Sequence, residues 1–228
     1  MRAALMTLMI GLKYPPAPLP GLTADWSRRG LGLSDVPPLV PALASRFSFT
    51  NTYYHQFPRL DIARPPDDLL GQIEFIVCSD VLEHVPPPLD AALAGLFACL
   101  EPGGFAVITV PVGGEATDEY YPGLTDVEVA TSPAGEVVRW TDAAGIRHTD
   151  TAPEMHGGAG LTLAFRSFSA RDVRSRLLAA GFVSVWEPPP MPELGVPHVA
   201  NPGIFLSHKS PTASKGERAA RVGRTTVR

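Results

Sequence analysis

Apolar and polar positions along this chain repeat on two different periods. Ile73 to Ser79 (IEFIVCS) and Phe105 to Val110 (FAVITV) are short, almost continuously apolar runs, as expected of strands buried on both faces. Between them, Leu89 to Leu100 (LDAALAGLFACL) sets apolar residues at 89, 93, 96, 97 and 100, one face of a helix, and Glu101-Pro102-Gly103-Gly104 stops it. Upstream, Ser48 to His55 (SFTNTYYH) is β-branched and aromatic and predicts a strand, with a shorter one at Arg29 to Leu33. Pro37 to Phe47 predicts a helix with prolines in its first turn, where a missing N–H costs little, and Asp67 to Leu70 a brief one. Downstream, Ser169 to Leu178 predicts a helix ended by Gly181, then a strand from Phe182 to Trp186. Strands separated by helices of this length require right-handed crossovers, so the expected fold is α/β with a doubly wound, mostly parallel sheet.

The middle of the chain departs from this alternation. Glu128 to Thr131, the turn Ser132-Pro133-Ala134-Gly135, and Glu136 to Trp140 read as a hairpin, and Asp142-Ala143-Ala144-Gly145 adds a second turn. Residues 113–165 are therefore expected to form a β-rich insertion near the C-terminal edge of the sheet. At the start, the uncharged run Ala3 to Leu12 is half the length a membrane span needs and breaks at Lys13 without a small-residue cleavage site. It predicts a helix laid on the domain and ended by Pro15-Pro16, with residues 1–28 as helix and linker and 29–208 as the domain. From Lys209 to Arg228 the chain holds two of its three lysines and four arginines with little to bury, which predicts a disordered basic tail.

Composition narrows the function classes. A chain of 228 residues, 45% of them hydrophobic, supplies a core for one domain, and a formal charge of −4 gives no basic face for nucleic acid. The two cysteines, Cys78 and Cys99, fall in apolar segments without CxxC spacing, as packing residues of a protein in the reducing cytoplasm would. The expected partner is a small molecule.

Candidate chemistry gathers after the strand at 73–79. Ser79-Asp80 either caps the following turn or lines a ligand crevice, since ligands of open α/β sheets sit beyond the carboxyl ends of strands. Glu83, in the first helical turn, favours the helix dipole. His84 either hydrogen-bonds backbone or serves as a general base near its ordinary pKa. A metal role for the Glu83-His84 pair is not expected, because adjacent residues on a turn diverge and no well-spaced third ligand is visible. In the insertion, Met155-His156-Gly157-Gly158-Ala159-Gly160 is either a plain glycine loop or a lid whose His156 orients or deprotonates a substrate, and Tyr120-Tyr121 lies just after the strand ending at Pro111.

Phe75 to Pro111 (FIVCSDVLEHVPPPLDAALAGLFACLEPGGFAVITVP) resembles the core of class I S-adenosylmethionine-dependent methyltransferases of the type 11/23 kind. The segments GLSD, TNTYYH, LDI and SDVLEHVPPP, with the later HGG, resemble a subgroup of that family. The resemblance implies a Rossmann-like sheet and S-adenosyl-L-methionine as cofactor. It places the cofactor against Gly30, Gly32, Ser34, Asp35, Asp61, Ile62, Ser79, Asp80 and Val81. It implies a small-molecule or glycan-like acceptor, with His84 and His156 as catalytic candidates. Two departures stand out: the loop at Gly30-Leu31-Gly32 has two glycines where the family usually has three, and no acid ends the second strand to grip the ribose. A non-catalytic binding protein on the same fold is the alternative. A dinucleotide oxidoreductase is disfavoured because no GxGxxG follows a strand and opens a helix.

Overall fold

In Ile73–Ser79, Phe75 and Val77 face one way and Ile76 and Cys78 the other, and all four are buried. An apolar run of this kind needs a layer on each side, and the rest of the fold supplies both. The computed structural model of the chain describes residues 2–13, 23–35, 37–133, 135–156, 162–188 and 203–212. Helix α1 (Arg2–Gly11) precedes strand β1 (Asp25–Leu33), helix α2 (Leu39–Ala44) and strand β2 (Phe47–Thr52). Strand β3 (Ile73–Ser79), helix α3 (Leu89–Cys99) and strand β4 (Leu100–Val110) follow. After the insertion come helix α4 (Ala170–Ala179) and two last strands, Ser184–Trp186 and Gly203–His208.

Strands β2, β1, β3 and β4 pair in parallel in that order, Thr52 lying beside Leu33, Leu33 beside Cys78, and Ser79 beside Thr109. Helices α3 and α4 cover one face, burying Leu31, Leu33, Ile76, Cys78, Ala106 and Ile108. Helices α1 and α2 cover the other, over Phe75, Val77, Phe105 and Val107. The doubly wound, mostly parallel sheet expected from the pattern is present. Burial on this scale makes each large core side chain worth about 2–5 kcal/mol against alanine.

Several boundaries differ from the sequence expectation. The first strand begins at Asp25, inside the span assigned to a linker, and is irregular between Asp25 and Arg29. The helix expected over Pro37 to Phe47 is cut to Leu39–Ala44, because Phe47 is fully buried as the first residue of β2. Strand β4 absorbs the Glu101-Pro102-Gly103-Gly104 turn as an irregularity: Ile73 pairs with Leu100 and Phe75 with Phe105, so the four residues 101–104 stand opposite Glu74 alone. Strand Gly203–His208 lies antiparallel between β4 and Ser184–Trp186, a place not foreseen for it. Lys209, taken as the head of a loose tail, is buried and donates from Nζ to the carbonyls of Phe97 (3.0 Å) and Leu100 (2.7 Å), where the C-terminus of α3 favours a cation. Pro15-Pro16, the glycines at 157–160 and residues 213–228 lie outside the described residues. Among the described residues no helix is long and apolar enough to cross a membrane.

The insertion follows β4. In chain order it contributes β5 (Asp118–Glu119), β6 (Asp126–Ser132), β7 (Gly135–Thr141), β8 (Arg147–Asp150), β9 (Met155–His156), β10 (Thr162–Leu163) and β11 (Arg166–Ser167). Strands β6 and β7 form the expected antiparallel hairpin, β8 returns after the second turn to pair with β7, β9 pairs with β10, and β5 with β11. Tyr121, Val138, Leu163 and Phe165 form its own small core.

Candidate functional site

The parallel register brings the C-terminal ends of β1, β2, β3 and β4 to one edge of the sheet, and the chain leaves that edge under strain twice. Ser34, directly after β1, has φ 55°, and Asp80, directly after β3, has φ 53°. Side chains other than glycine rarely adopt this left-handed conformation, and such residues concentrate where a site dictates the backbone. Each is pinned from the neighbouring strand. Ser34 donates its N–H to the Thr52 carbonyl (2.8 Å), and Asp80 its own to the Thr109 carbonyl (2.9 Å).

Asp35 lies beneath this turn. It is buried, its N–H donates to Asn51 Oδ1 (3.1 Å), and neither carboxylate oxygen has a hydrogen-bond partner among the described residues. Burial pushes its carboxyl up to about 8. An ionised carboxylate left alone there is costly, so the acid holds its proton unless a cation or a donor reaches it. Gly30 and Gly32, expected as the cofactor's loop, instead lie inside β1 and are buried. A Cβ on Gly30 would run into the Phe75 ring, and one on Gly32 into Asp35 Oδ2 and Asn51 Oδ1. They make room for packing and for Asp35.

The other sequence candidates fall as follows. Ser79 Oγ and Thr109 Oγ1 are 2.7 Å apart, and Thr109 Oγ1 donates to Asp80 Oδ1 (3.1 Å). Asp80 is exposed, and no side chain caps the 3-10 turn Leu82–His84 that follows, which removes the capping alternative. Val81 packs against the main core, and Ile62 is buried in it. Asp61 is half-buried and folds on itself, Oδ1 accepting from the Ala63 N–H (3.0 Å). Strand β2 ends in Asn51 and Thr52 with no carboxylate, and both side chains serve the first turn: Thr52 Oγ1 donates to the Gly32 carbonyl (2.9 Å).

Glu83, His84 and His156 come together beside this edge. Glu83 is 0% exposed, and neither carboxylate oxygen has a hydrogen-bond partner in another described residue. Burial pushes it up to about 7, with the negative charge of Asp80 acting the same way. His84 Nδ1 meets the Leu163 carbonyl at 2.8 Å, and its Nε2 meets His156 Nδ1 at 3.2 Å, the rings edge to face. Burial lowers the His84 pKa, which favours the neutral ring. Neutral His84 therefore carries its proton on Nδ1 and offers a lone pair at Nε2. The expectation that Glu83 and His84 diverge does not hold, since Glu83 Oε1 is 3.9 Å from His84 Nε2 and 3.8 Å from His156 Nδ1. The chain doubles back through the insertion and supplies the third group.

What holds the turn was invisible in the sequence. Arg166, 1% exposed, donates from Nη1 to the carbonyls of Leu82 (2.9 Å) and Val85 (2.6 Å) and from Nε to the Glu119 carboxylate (2.9 and 3.0 Å). Phe165 donates its N–H to the Glu83 carbonyl (2.8 Å). One short segment of the insertion thus binds the carbonyls of Leu82, Glu83 and Val85. The available signal was a lone arginine within the apolar run Leu161 to Phe168, which marks a buried charge without naming its partners.

A family model described as a methyltransferase domain matches residues 41–186. No curated protein sequence matches the chain. Among solved structures, an S-adenosylmethionine-dependent methyltransferase from Clostridium acetobutylicum is 10% identical with a TM-score of 0.52, over 92% of this chain and 91% of that one. The carbon methyltransferase CurJ is 12% identical with a TM-score of 0.52, over 92% of this chain but 55% of that one, so this chain spans about half its length. The Burkholderia thailandensis 1,6-didemethyltoxoflavin N1-methyltransferase, bound to 1,6-didemethyltoxoflavin and S-adenosylhomocysteine, is 13% identical with a TM-score of 0.48, over 92% and 76%. The first two likenesses, at these identities, speak to the fold alone.

Proposed function

The chain belongs to the methyltransferase domain family, whose methyl donor is S-adenosylmethionine, and from that premise we propose that it methylates a small-molecule or glycan-like acceptor at the edge formed by Asp35, Asp80, Glu83, His84 and His156. The cofactor supplies an electrophilic methyl carbon on a sulfonium, which needs no activation by the protein. The observation that carries the reading is Asp35, a buried carboxylate without a partner at the head of the parallel sheet. The methionine ammonium of the cofactor is the cation it lacks. Asp80 and Asp61 offer further acceptor oxygens for hydroxyl and amino groups, and Ser34, Ser79 and the backbone around them shape the wall.

The acceptor side belongs to the two imidazoles. His84, fixed by the Leu163 carbonyl, accepts a hydrogen bond from His156 Nδ1–H and so leaves the lone pair of His156 Nε2 free to take an acceptor's proton. His84 orients that ring, and His156, the more exposed of the two, meets the acceptor. Methyl transfer otherwise asks for alignment and exclusion of water, which the packed turn at 82–85 favours.

Calorimetric titration with S-adenosylhomocysteine tests the cofactor half: one ligand per chain is expected, and no heat at millimolar ligand sinks it. Turnover of candidate acceptors by His84→Ala and His156→Ala tests the other half, with a fall of about 10²-fold or more and unchanged cofactor affinity expected. The burial of Gly30 and Gly32 inside β1 favours a second reading, a binding protein without turnover. Cofactor binding with no methyl transfer to any acceptor class is its signature.

A further inference from the structure

Three donor atoms of the acceptor side form a closed triangle. Glu83 Oε1, His84 Nε2 and His156 Nδ1 are separated by 3.2, 3.8 and 3.9 Å, and the point equidistant from three corners so spaced lies about 2.1 Å from each. Bonds from a zinc-class cation to imidazole nitrogen or carboxylate oxygen are about 2.0–2.2 Å long. Both Glu83 oxygens are buried without a partner in another described residue, so Oε1 is open towards the position the triangle encloses. The Leu163 carbonyl on His84 Nδ1 fixes the ring with Nε2 turned inward, the usual support of a metal-bound imidazole. Glu154 Oε1 stands 3.7 Å from the outer nitrogen of His156, beyond hydrogen-bond distance, so His84 alone is fixed from behind.

We infer that Glu83, His84 and His156 form a binding site for a divalent first-row transition cation, of the zinc or ferrous class, that holds and polarises the acceptor's hydroxyl. Two imidazoles and one carboxylate suit such a cation, whereas magnesium and calcium favour all-oxygen sets. Three protein ligands leave positions open for the acceptor. A hydroxyl bound there breaks its O–H bond, keeps the electron pair on oxygen and passes the proton to solvent water, with no oxidant or reductant involved. The cation takes the place of the hydrogen bond between the rings, and the histidines then act as ligands in place of a relay. The inference rests on the reading of this cluster as the acceptor side of the site.

The test uses the full chain, freed of metal by chelator and titrated with Co2+ while its visible absorption is followed, then with Zn2+ in competition. One Co2+ per chain with ligand-field bands, displaced by Zn2+, is expected. Glu83→Gln and His156→Ala should each weaken binding on the order of 100-fold or more. His148→Ala, in the meander and paired with Asp142, should leave it unchanged. Absence of a bound equivalent, or binding indifferent to Glu83→Gln and His156→Ala, overturns the inference. Calorimetry with S-adenosylhomocysteine is run in parallel on the metal-free chain. Cofactor binding there without Co2+ binding defeats the cation site alone, and loss of cofactor binding defeats the methyltransferase reading separately. Turnover that survives chelation and is lost in His156→Ala also overturns the cation and leaves the imidazole relay in place.

Discussion

At the residue scale, Asp35 couples pH to both stability and binding. Its folded carboxyl is raised to about 8 by burial, against about 3.9 for an aspartate in an unfolded chain. The folded state therefore holds the proton more tightly, so stability is full below about pH 4 and falls as pH rises towards 8. Asp35→Asn removes this dependence. Melting curves should show the variant gaining on wild type between pH 5 and pH 8, and a constant difference across that window would refute the assignment. Pairing with the cofactor's ammonium ionises Asp35, so binding below pH 8 should release close to one proton, read from the dependence of calorimetric heat on buffer. Asp80 makes the complementary case. It is exposed and its side chain accepts only from Thr109 Oγ1 among the described hydrogen bonds, so Asp80→Ala should weaken cofactor binding while the melting temperature barely moves. A variant that melts lower and binds normally would return Asp80 to a structural role. Neither residue's part was legible alone: SDV and LSD mark a sheet edge only when the strands before them are placed side by side.

At the element scale, the link between β11 and the turn Leu82–His84 decides whether the site is held. Arg166→Met leaves the Leu82 and Val85 carbonyls and Glu119 without their donor. Glu119 is 34% exposed and regains water, but the Leu82 and Val85 carbonyls lose a buried donor at about 1–3 kcal/mol each, which denaturant titration resolves. Acceptor turnover should fall further than cofactor affinity, because the turn carries His84 while Asp35 sits across the sheet edge. Helix α4 offers a milder comparison. Ser169 accepts from the Asp172 N–H (3.2 Å) as its N-cap, so Ser169→Ala should cost about 1 kcal/mol and Ser169→Asp should restore most of it. Elements of this kind were readable in advance, since Ile73–Ser79 and the span from Leu89 follow from periodicity and the hairpin from its turn residues. Gly203–His208 was not, because its six residues pair with β4 and Ser184–Trp186 across long stretches of chain.

At the scale of the whole molecule, the six-stranded sheet is sealed on both faces and ligands meet it at one edge, so occupancy there should stabilise the entire domain. With S-adenosylhomocysteine at a hundred times its dissociation constant, the gain is about 2.7 kcal/mol. For a domain of this size that corresponds to a rise of about 5–10 °C in melting temperature. An unchanged melting temperature at saturating ligand would contradict binding to the folded chain. The amino-acid sequence by itself determined the strands and helices with strong periodicity, the two-sided burial of the central strands and the strand end after which Asp80 stands. Each of these is written in residues close along the chain, where side-chain period and turn chemistry act locally. Only the tertiary structure decided that Gly30 and Gly32 serve packing, that Asp35 lies buried and unpaired, and that Arg166 grips the turn at Leu82. It alone set His156 against His84, 72 residues away in sequence. Such contacts depend on how separate layers close on one another, and no local pattern encodes the distance between them.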